Sequence, residues 1–389
     1  MSDILTPSDE AELADAVAHA ASARMPLEVR GGGTRSTLGR PVQAEKTLST
    51  AALSGISIYE PGALTLVVKA GTPMAEVEEA LAAEGQMLAF EPPDHRALLG
   101  TEGTPTIGGA VAVAASGPRR IQKGACRDFM LGVRFVDGQG QVVKNGGRVM
   151  KNVTGFDLVK PMAGQYGTLG VLTEIAFKVL PSPKASATLR FDGFSESDAV
   201  RLMSDALGSP FDVAGAAHLP DDKTTLVRLE GLEGSVAYRT DELMKHLARH
   251  GTPLIDTDPE SVDETWTQIR DVQPFAGSEG AVWRISVKPS DGPEIEAGLR
   301  SRIDVQGVIY DWGGGLVWLR VPEANDAGAT LIRSETAARG GHATLMRASA
   351  ATRAAVDVFQ PEPAPLARNS EGLRSKFDPH GILNPGRMG

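Results

Sequence analysis

The residues best placed to do chemistry in this chain carry no reactive side chain. The run Arg30-Gly31-Gly32-Gly33-Thr34-Arg35-Ser36 follows Leu27 to Arg30, which reads as a strand. Residues without Cβ let successive backbone N–H groups converge on one anion, so a phosphate or pyrophosphate fits; a glycine turn without a ligand is the alternative. Gly31, Gly33 and Ser36 nearly reproduce a dinucleotide fingerprint. Gly39 and Pro41, however, would break the helix on which a Rossmann pyrophosphate rests, and that reading fails. Three amides donating to a charged oxygen at about 1.5 to 3 kcal/mol each supply at most about 9 kcal/mol gross, which before binding costs means micromolar affinity. A tightly held dinucleotide needs a second clamp. Thr104-Pro105-Thr106-Ile107-Gly108-Gly109-Ala110, continued through Ala115-Ser116-Gly117, is small enough for a flat ring or sugar to lie against backbone, or else it is a close-packed strand pair.

Other reactive side chains are scattered. The histidines are His19, His95, His218, His246, His250, His342 and His380. His246 and His250 stand i, i+4 on one predicted helix and could share a metal, but no acidic partner is evident and a solvated helix face explains both, so no metal is expected. Cys126 is the single cysteine, which forbids an internal disulfide or a cysteine-ligated cluster and fits a reducing compartment. Arg119, Arg120, Lys123 and Arg127 form a positive island that faces cofactor phosphates, a partner, or solvent.

These residues sit in a chain of 389 residues, 41% hydrophobic, long enough for two to three domains and a real core. Its net charge of -10 repels phosphate backbones and anionic lipid, so nucleic acid is not an expected partner. The acidic stretch Met1 to Glu12 has no apolar h-region, and no apolar run approaches the roughly 18 residues a membrane helix needs. The expectation is a cytoplasmic protein without an integral membrane segment.

The elements that must position the glycines follow from periodicity. Leu13, Val17 and Ala21 predict a helix over Ser8 to Ala23 behind a Ser cap, and Leu64 to Ala70 a strand. Thr72 suits an N-cap and Pro73 a first turn for a helix carrying Met74, Val77 and Leu81 on one face. Fifteen of the 44 glycines fall between Gly100 and Gly170, about twice the chain average, so this backbone is expected to wrap something rather than form an α-helical layer. After Pro181 and Pro183 the composition changes, with a strand Ala187 to Phe191 and a helix whose Ser195 and Asp198 make a capping box. Residues 185–256 read strand, helix, strand, strand, helix, strand. Residues 281–347 repeat that order, with strands at Trp283 to Val287, Val305 to Tyr310, Leu316 to Val321 and Ala343 to Met346, so two split β-α-β units are predicted. Pro361, Pro363 and Pro365 read as a linker, and Leu373 to Arg387 as a turn-rich tail outside any core.

Taken in order, the glycine loop, Thr106-Ile107-Gly108-Gly109, Ser116-Gly117-Pro118-Arg119-Arg120 and Arg127-Asp128-Phe129-Met130-Leu131-Gly132 resemble the FAD-binding PCMH-type family of vanillyl-alcohol-oxidase fold. So do Met150-Lys151-Asn152-Val153-Thr154-Gly155-Phe156-Asp157-Leu158, Gly167-Thr168-Leu169-Gly170-Val171-Leu172-Thr173-Glu174, Gly341-His342-Ala343-Thr344 and Phe377 to Gly386, and the likeness covers nearly the whole chain. It implies an α+β fold: a two-part PCMH-type FAD-binding domain over 1–183, an α+β ferredoxin-like cap over 184–347, and a segment 348–389 that returns to the first domain. It implies that the FAD pyrophosphate lies on Gly31, Gly32, Gly33, Thr34, Arg35 and Ser36. The ribityl and ring would lie along Thr106, Ile107, Gly108, Gly109, Ser116 and Gly117, the adenosine end near Val171, and Asn384 beside the isoalloxazine. Within the family the likeness is to FAD-binding subunits of multi-subunit glycolate (2-hydroxy acid) oxidases. That implies electron transfer beside a second, catalytic FAD subunit and an iron–sulfur subunit, at the inner face of the membrane through the complex.

Departures from the family bear on the chemistry. No pair of histidines reproduces the cap-domain cluster that holds a metal and a base in flavoprotein 2-hydroxy acid dehydrogenases of this fold. His342 is the best candidate for a ring-proximal base, with a core histidine as its alternative. Met150 stands where those relatives carry Arg, so a substrate carboxylate lacks its usual bidentate partner, for which Lys151 or Arg320 could substitute. No histidine occurs between Arg30 and Arg40, so the FAD is expected to be non-covalent. Two other readings are a self-sufficient FAD-dependent oxidase or dehydrogenase using His342 and Lys151, and a scaffold subunit with a redox-silent flavin.

Overall fold

The computed structural model describes residues 3–149 and 155–389. Met150 and Lys151 lie outside the described residues. The helix Glu10–Ala23 buries Leu13, Val17, Ala20 and Ala21 against Leu27 and Leu48 of a three-stranded parallel sheet ordered Asp3–Leu5, Lys46–Ser49, Leu27–Arg30. Its cap is Asp9, not a serine: the Asp9 carboxylate accepts from the Glu12 N–H, and Ser8 instead donates to the Glu12 side chain. A five-stranded antiparallel sheet follows, ordered Ile56–Glu60, Thr65–Lys69, Val171–Lys178, Met130–Val136, Val142–Gly146. One face packs on the helices Met74–Ala83 and Ile107–Ala112 through Leu66, Val68, Val77, Ile107, Val111, Phe135 and Ile175.

Thr72 does not cap the helix that starts at Met74; Pro73 holds the cap position without a side-chain bond. The Thr72 hydroxyl accepts from the Gly55 N–H at 2.9 Å and donates to the Lys69 carbonyl at 2.7 Å, so a long-range tie displaces the local one. The glycine-dense stretch also holds a short helix, Ile107–Ala112, capped by Thr106 accepting from the Gly109 N–H.

Residues 185–347 build one eight-stranded antiparallel sheet, ordered Leu254–Asp256, Ala185–Asp192, Thr224–Gly231, Gly215–Leu219, Gly307–Asp311, Leu316–Val321, Ala281–Ser286, His342–Arg347. Each half is a split β-α-β unit with its strands in the ferredoxin-like order fourth, first, third, second, and the halves join at His218 opposite Tyr310. Ser195 caps the helix Glu196–Leu207 by accepting from the Asp198 N–H. Between the halves lies a helix that the periodicity did not reveal, Pro259–Arg270, capped by Asp258 and seating Trp266 in the core.

The C-terminal expectation needs correction. Ala364–Phe377 is a helix, with proline in its first turn where a missing N–H costs nothing. Ile382 and Leu383 then enter the core beside Leu27, and Leu383 bridges to Leu27 in parallel. The tail thus completes the layer that carries the glycine loop.

A charge network ties the loops carrying Glu91 and Arg119 to the eight-stranded sheet. Arg228 forks onto Glu91 with two bonds of 3.0 Å, and Arg119 reaches Glu91 at 3.0 Å and Glu230 at 2.8 Å. Burial pushes the Glu91 pKa up, but the Arg228 and Arg119 guanidiniums override it and hold the carboxyl down at about 2. The positive island therefore divides: Arg119 is a half-buried structural charge and Arg127 is exposed.

Candidate functional site

The strand Leu27–Arg30 ends at the lip of a cavity of about 730 Å³, its open mouth included. The loop Gly31 to Ser36 forms one wall, Thr106, Gly108 and Gly109 face it, and Gln165, Tyr166, Gly167, Asn384 and Arg387 close the end. Packing explains the glycines. A Cβ on Gly32 would lie 1.7 Å from the Thr104 carbonyl oxygen, and Gly33 has a φ of +83°. The two glycine segments therefore meet backbone to backbone.

That approach leaves backbone donors unpaired. Among the described residues no backbone acceptor engages the N–H groups of Gly31, Gly32, Gly33, Thr34 or Arg35, whereas Ser36 donates to Gly33. Arg35 donates Nη2 to the Pro93 carbonyl at 2.7 Å, yet its buried Nε has no partner. A row of open amides beside a buried guanidinium fits a diphosphate, and the glycine face of Gly108 and Gly109 fits the flat or sugar portion of a dinucleotide.

Not every residue singled out from sequence borders the cavity. Ile107 turns its side chain into the core, and its N–H donates to Thr72. Val171 is likewise a core residue; Gly170 and Leu172 on either side of it face the cavity, as strand alternation requires. Ser116 accepts from the Cys126 N–H at 3.0 Å, and the Gly117 carbonyl accepts from Trp312 Nε1 at 3.1 Å, both away from the cavity lining. Asn384 does line it, as a clip: Oδ1 accepts from the Val29 N–H at 2.8 Å and Nδ2 donates to the Tyr166 carbonyl at 2.7 Å. Arg387, Glu28 and Tyr166 were not singled out from sequence. Arg387 donates to the Leu38 carbonyl at 3.0 Å and to Glu28 at 3.1 Å, fixing the loop from behind.

His342 starts the last strand of the eight-stranded sheet, exposed and outside the cavity lining. Desolvation, then the guanidiniums of Arg284 and Arg120, lower its pKa and favour the neutral ring. Arg320 is occupied elsewhere, donating to the Glu279 carbonyl and to Gln306. His246 ends one helix and His250 lies in the next turn; His250 Nε2 is 2.6 Å from Asp205, so it does have an acidic partner. Among the described residues no group of three or more His, Cys, Asp or Glu side chains is placed to hold a metal. Cys126 is buried and its thiol is pushed up to about 12 by burial. No helix among the described residues is long and apolar enough to cross a membrane.

Comparison with known proteins accords with this geometry. A family model of an FAD binding domain matches residues 2–146. The glycolate oxidase subunit GlcE of Escherichia coli is 38% identical over 378 residues, 97% of this chain and 96% of that protein. The glycolate oxidase subunit GlcD of Bacillus subtilis is 27% identical over 58% of this chain and 47% of its own length. A solved alkyldihydroxyacetonephosphate synthase superposes with a TM-score of 0.71 at 16% identity, covering 98% of this chain and 76% of that one, which shows a shared fold. The match to an FAD binding domain and this likeness across nearly all its length make the chain a member of the GlcE family of glycolate oxidase subunits, FAD-dependent oxidoreductases of PCMH-type fold.

Proposed function

We propose that this chain holds FAD non-covalently and passes electrons within a multi-subunit glycolate (2-hydroxy acid) oxidase, beside a second, catalytic FAD subunit and an iron–sulfur subunit. The observation that carries the reading is the row of open amides from Gly31 to Arg35 next to the unpartnered Arg35 Nε. Gly31 to Ser36 hold the pyrophosphate, with Arg35 as the charged donor. Thr106, Gly108 and Gly109 border the ribityl and ring, whereas Ile107, Ser116, Gly117 and Val171 stay outside the lining. Asn384 locks the tail over the site. When bound, FAD supplies hydride acceptance and onward electron transfer. Non-covalent attachment is supported by the lining itself, which contains neither cysteine nor histidine among the described residues.

GlcE and GlcD likenesses in one chain support a paired-flavin complex. With Cys126 as its single cysteine, the chain cannot supply the thiolates of a cluster, so the cluster belongs to a partner. The domain division is 1–183, 184–347 and 348–389, and the complex docks on the cytoplasmic face of the membrane. The test measures FAD content and glycolate-to-dye turnover for the isolated chain and for the assembled complex. FAD without turnover in isolation is expected. Robust turnover alone overturns the division of labour in favour of a self-sufficient enzyme, with His342 as base and Lys151 holding substrate.

A further inference from the structure

Val113 and Tyr166 line the cavity and also pack against the apolar cluster that contains Ile309 and Trp318 of the eight-stranded sheet and Trp312 of the turn after Gly307–Asp311, so the cavity edge adjoins that cluster. Trp312 is fixed there. It adopts a left-handed φ of +52°, its N–H donates to Asp311 Oδ1 at 2.6 Å, and its indole Nε1 donates to Gly117. Two guanidiniums lie on this indole, with Arg120 Cζ 4.3 Å and Arg284 Cζ 5.0 Å from the ring centroid. Among the described residues neither guanidinium makes a hydrogen bond or an ion pair.

The surroundings do not compensate them. Burial, then the neighbouring Arg120, lower the Arg284 pKa to about 10, while Tyr166 and Asp311 oppose. Asp311 is a weak counter-charge, because burial pushes its carboxyl up to about 7. Arg120 feels Arg127 as a like charge and Asp128 as an opposite one. Two like charges gathered at one indole, Arg284 feeling Arg120, are an arrangement that an anion completes.

We propose that Arg120 and Arg284, held against Trp312 beside Tyr166, bind the carboxylate of a small organic acid at the edge of the flavin cavity. A planar guanidinium fork matches a carboxylate bidentately. This rests on reading the cavity as the flavin site, and it names the carboxylate partner that Arg320 is not free to be. It also explains why Ser116-Gly117-Pro118-Arg119-Arg120 act together, since Gly117 anchors the indole, Arg119 ties its loop to the eight-stranded sheet, and Arg120 faces the acid.

The experiment titrates oxalate into the full chain by calorimetry, with and without FAD, for wild type, Arg284→Gln, Arg120→Gln and the surface variant Arg201→Gln. Either site variant is expected to weaken oxalate about 10- to 100-fold, with FAD content unchanged and Arg201→Gln like wild type. In the FAD-loaded chain oxalate is also expected to shift the visible flavin bands. Absence of saturable oxalate binding, equal affinity in all variants, or displacement by inorganic phosphate as effective as by a second carboxylate overturns the proposal. If the chain takes up no FAD, the cavity reading fails, and calorimetry on the flavin-free chain still decides the arginine site.

Discussion

Gly32→Ala isolates the glycine loop from everything else in the fold. A Cβ there would stand 1.7 Å from the Thr104 oxygen, whereas real contacts essentially never fall below 3.0 Å, so the two segments must part by about 1.3 Å. Hydrogen bonds to a phosphate span only about 2.7–3.2 Å, and a shift of that size removes those it touches. Loss of two charge-assisted bonds at about 1.5–3 kcal/mol each lowers FAD affinity by about 3–6 kcal/mol, or about 10²- to 10⁴-fold. The assay is quenching of FAD fluorescence on titration with deflavinated protein, with far-ultraviolet circular dichroism to verify folding. Gly62→Ala, where nothing lies within 4 Å of the added carbon, serves as control and should bind as wild type. A folded Gly32→Ala protein that keeps FAD affinity within about threefold would refute the reasoning.

Three further outcomes follow from the contacts. Glu91→Gln strips the charge from a carboxylate buried between Arg228 and Arg119 and should lower unfolding free energy by about 3–5 kcal/mol at neutral pH. The folded pKa of Glu91, about 2, lies below the ordinary 4.5, so its contribution is complete above pH 4.5 and is lost as pH falls toward 2. Denaturant titrations should therefore show the gap between wild type and variant shrinking over that window; a gap independent of pH would contradict the network. Asn384→Ala leaves the Val29 N–H and the Tyr166 carbonyl unpaired and puts alanine at a φ of +45°, so it should cost about 2–5 kcal/mol of stability by chemical denaturation and weaken FAD retention. Acid precipitation of the loaded protein should release all flavin to the supernatant; yellow pellets would mean a covalent bond.

What the sequence disclosed was local and periodic. Ser195 before an apolar helical stripe, and two stretches alternating between periods of two and 3.6, were enough to place both ferredoxin-like units, because cap and stripe lie within a few residues of each other. Thr72 misled because its choice between capping and a bond to Gly55 is settled by a residue 17 positions away. The helix Ala364–Phe377 was hidden by prolines that a first turn tolerates. At the site, the glycines announced themselves by type, whereas Arg387 and Tyr166 reach it only through folding: Arg387 meets Leu38 across 349 positions and Asn384 meets Tyr166 across 218. Ile107 and Val171 belonged to the right segments but face the core, since a motif names a stretch of chain and not the direction of each side chain. The Arg120–Trp312–Arg284 cluster had no sequence signal beyond one basic island, of which a single member takes part.

The central claim is that open backbone amides on one glycine loop hold a flavin dinucleotide. The visible absorption spectrum of the purified chain after incubation with excess FAD and removal of the free cofactor tests it most directly. Stoichiometric FAD bands, abolished by Gly33→Asp in a protein that remains folded, are the predicted result. A colourless wild-type protein, or a Gly33→Asp protein as yellow as wild type, would contradict it.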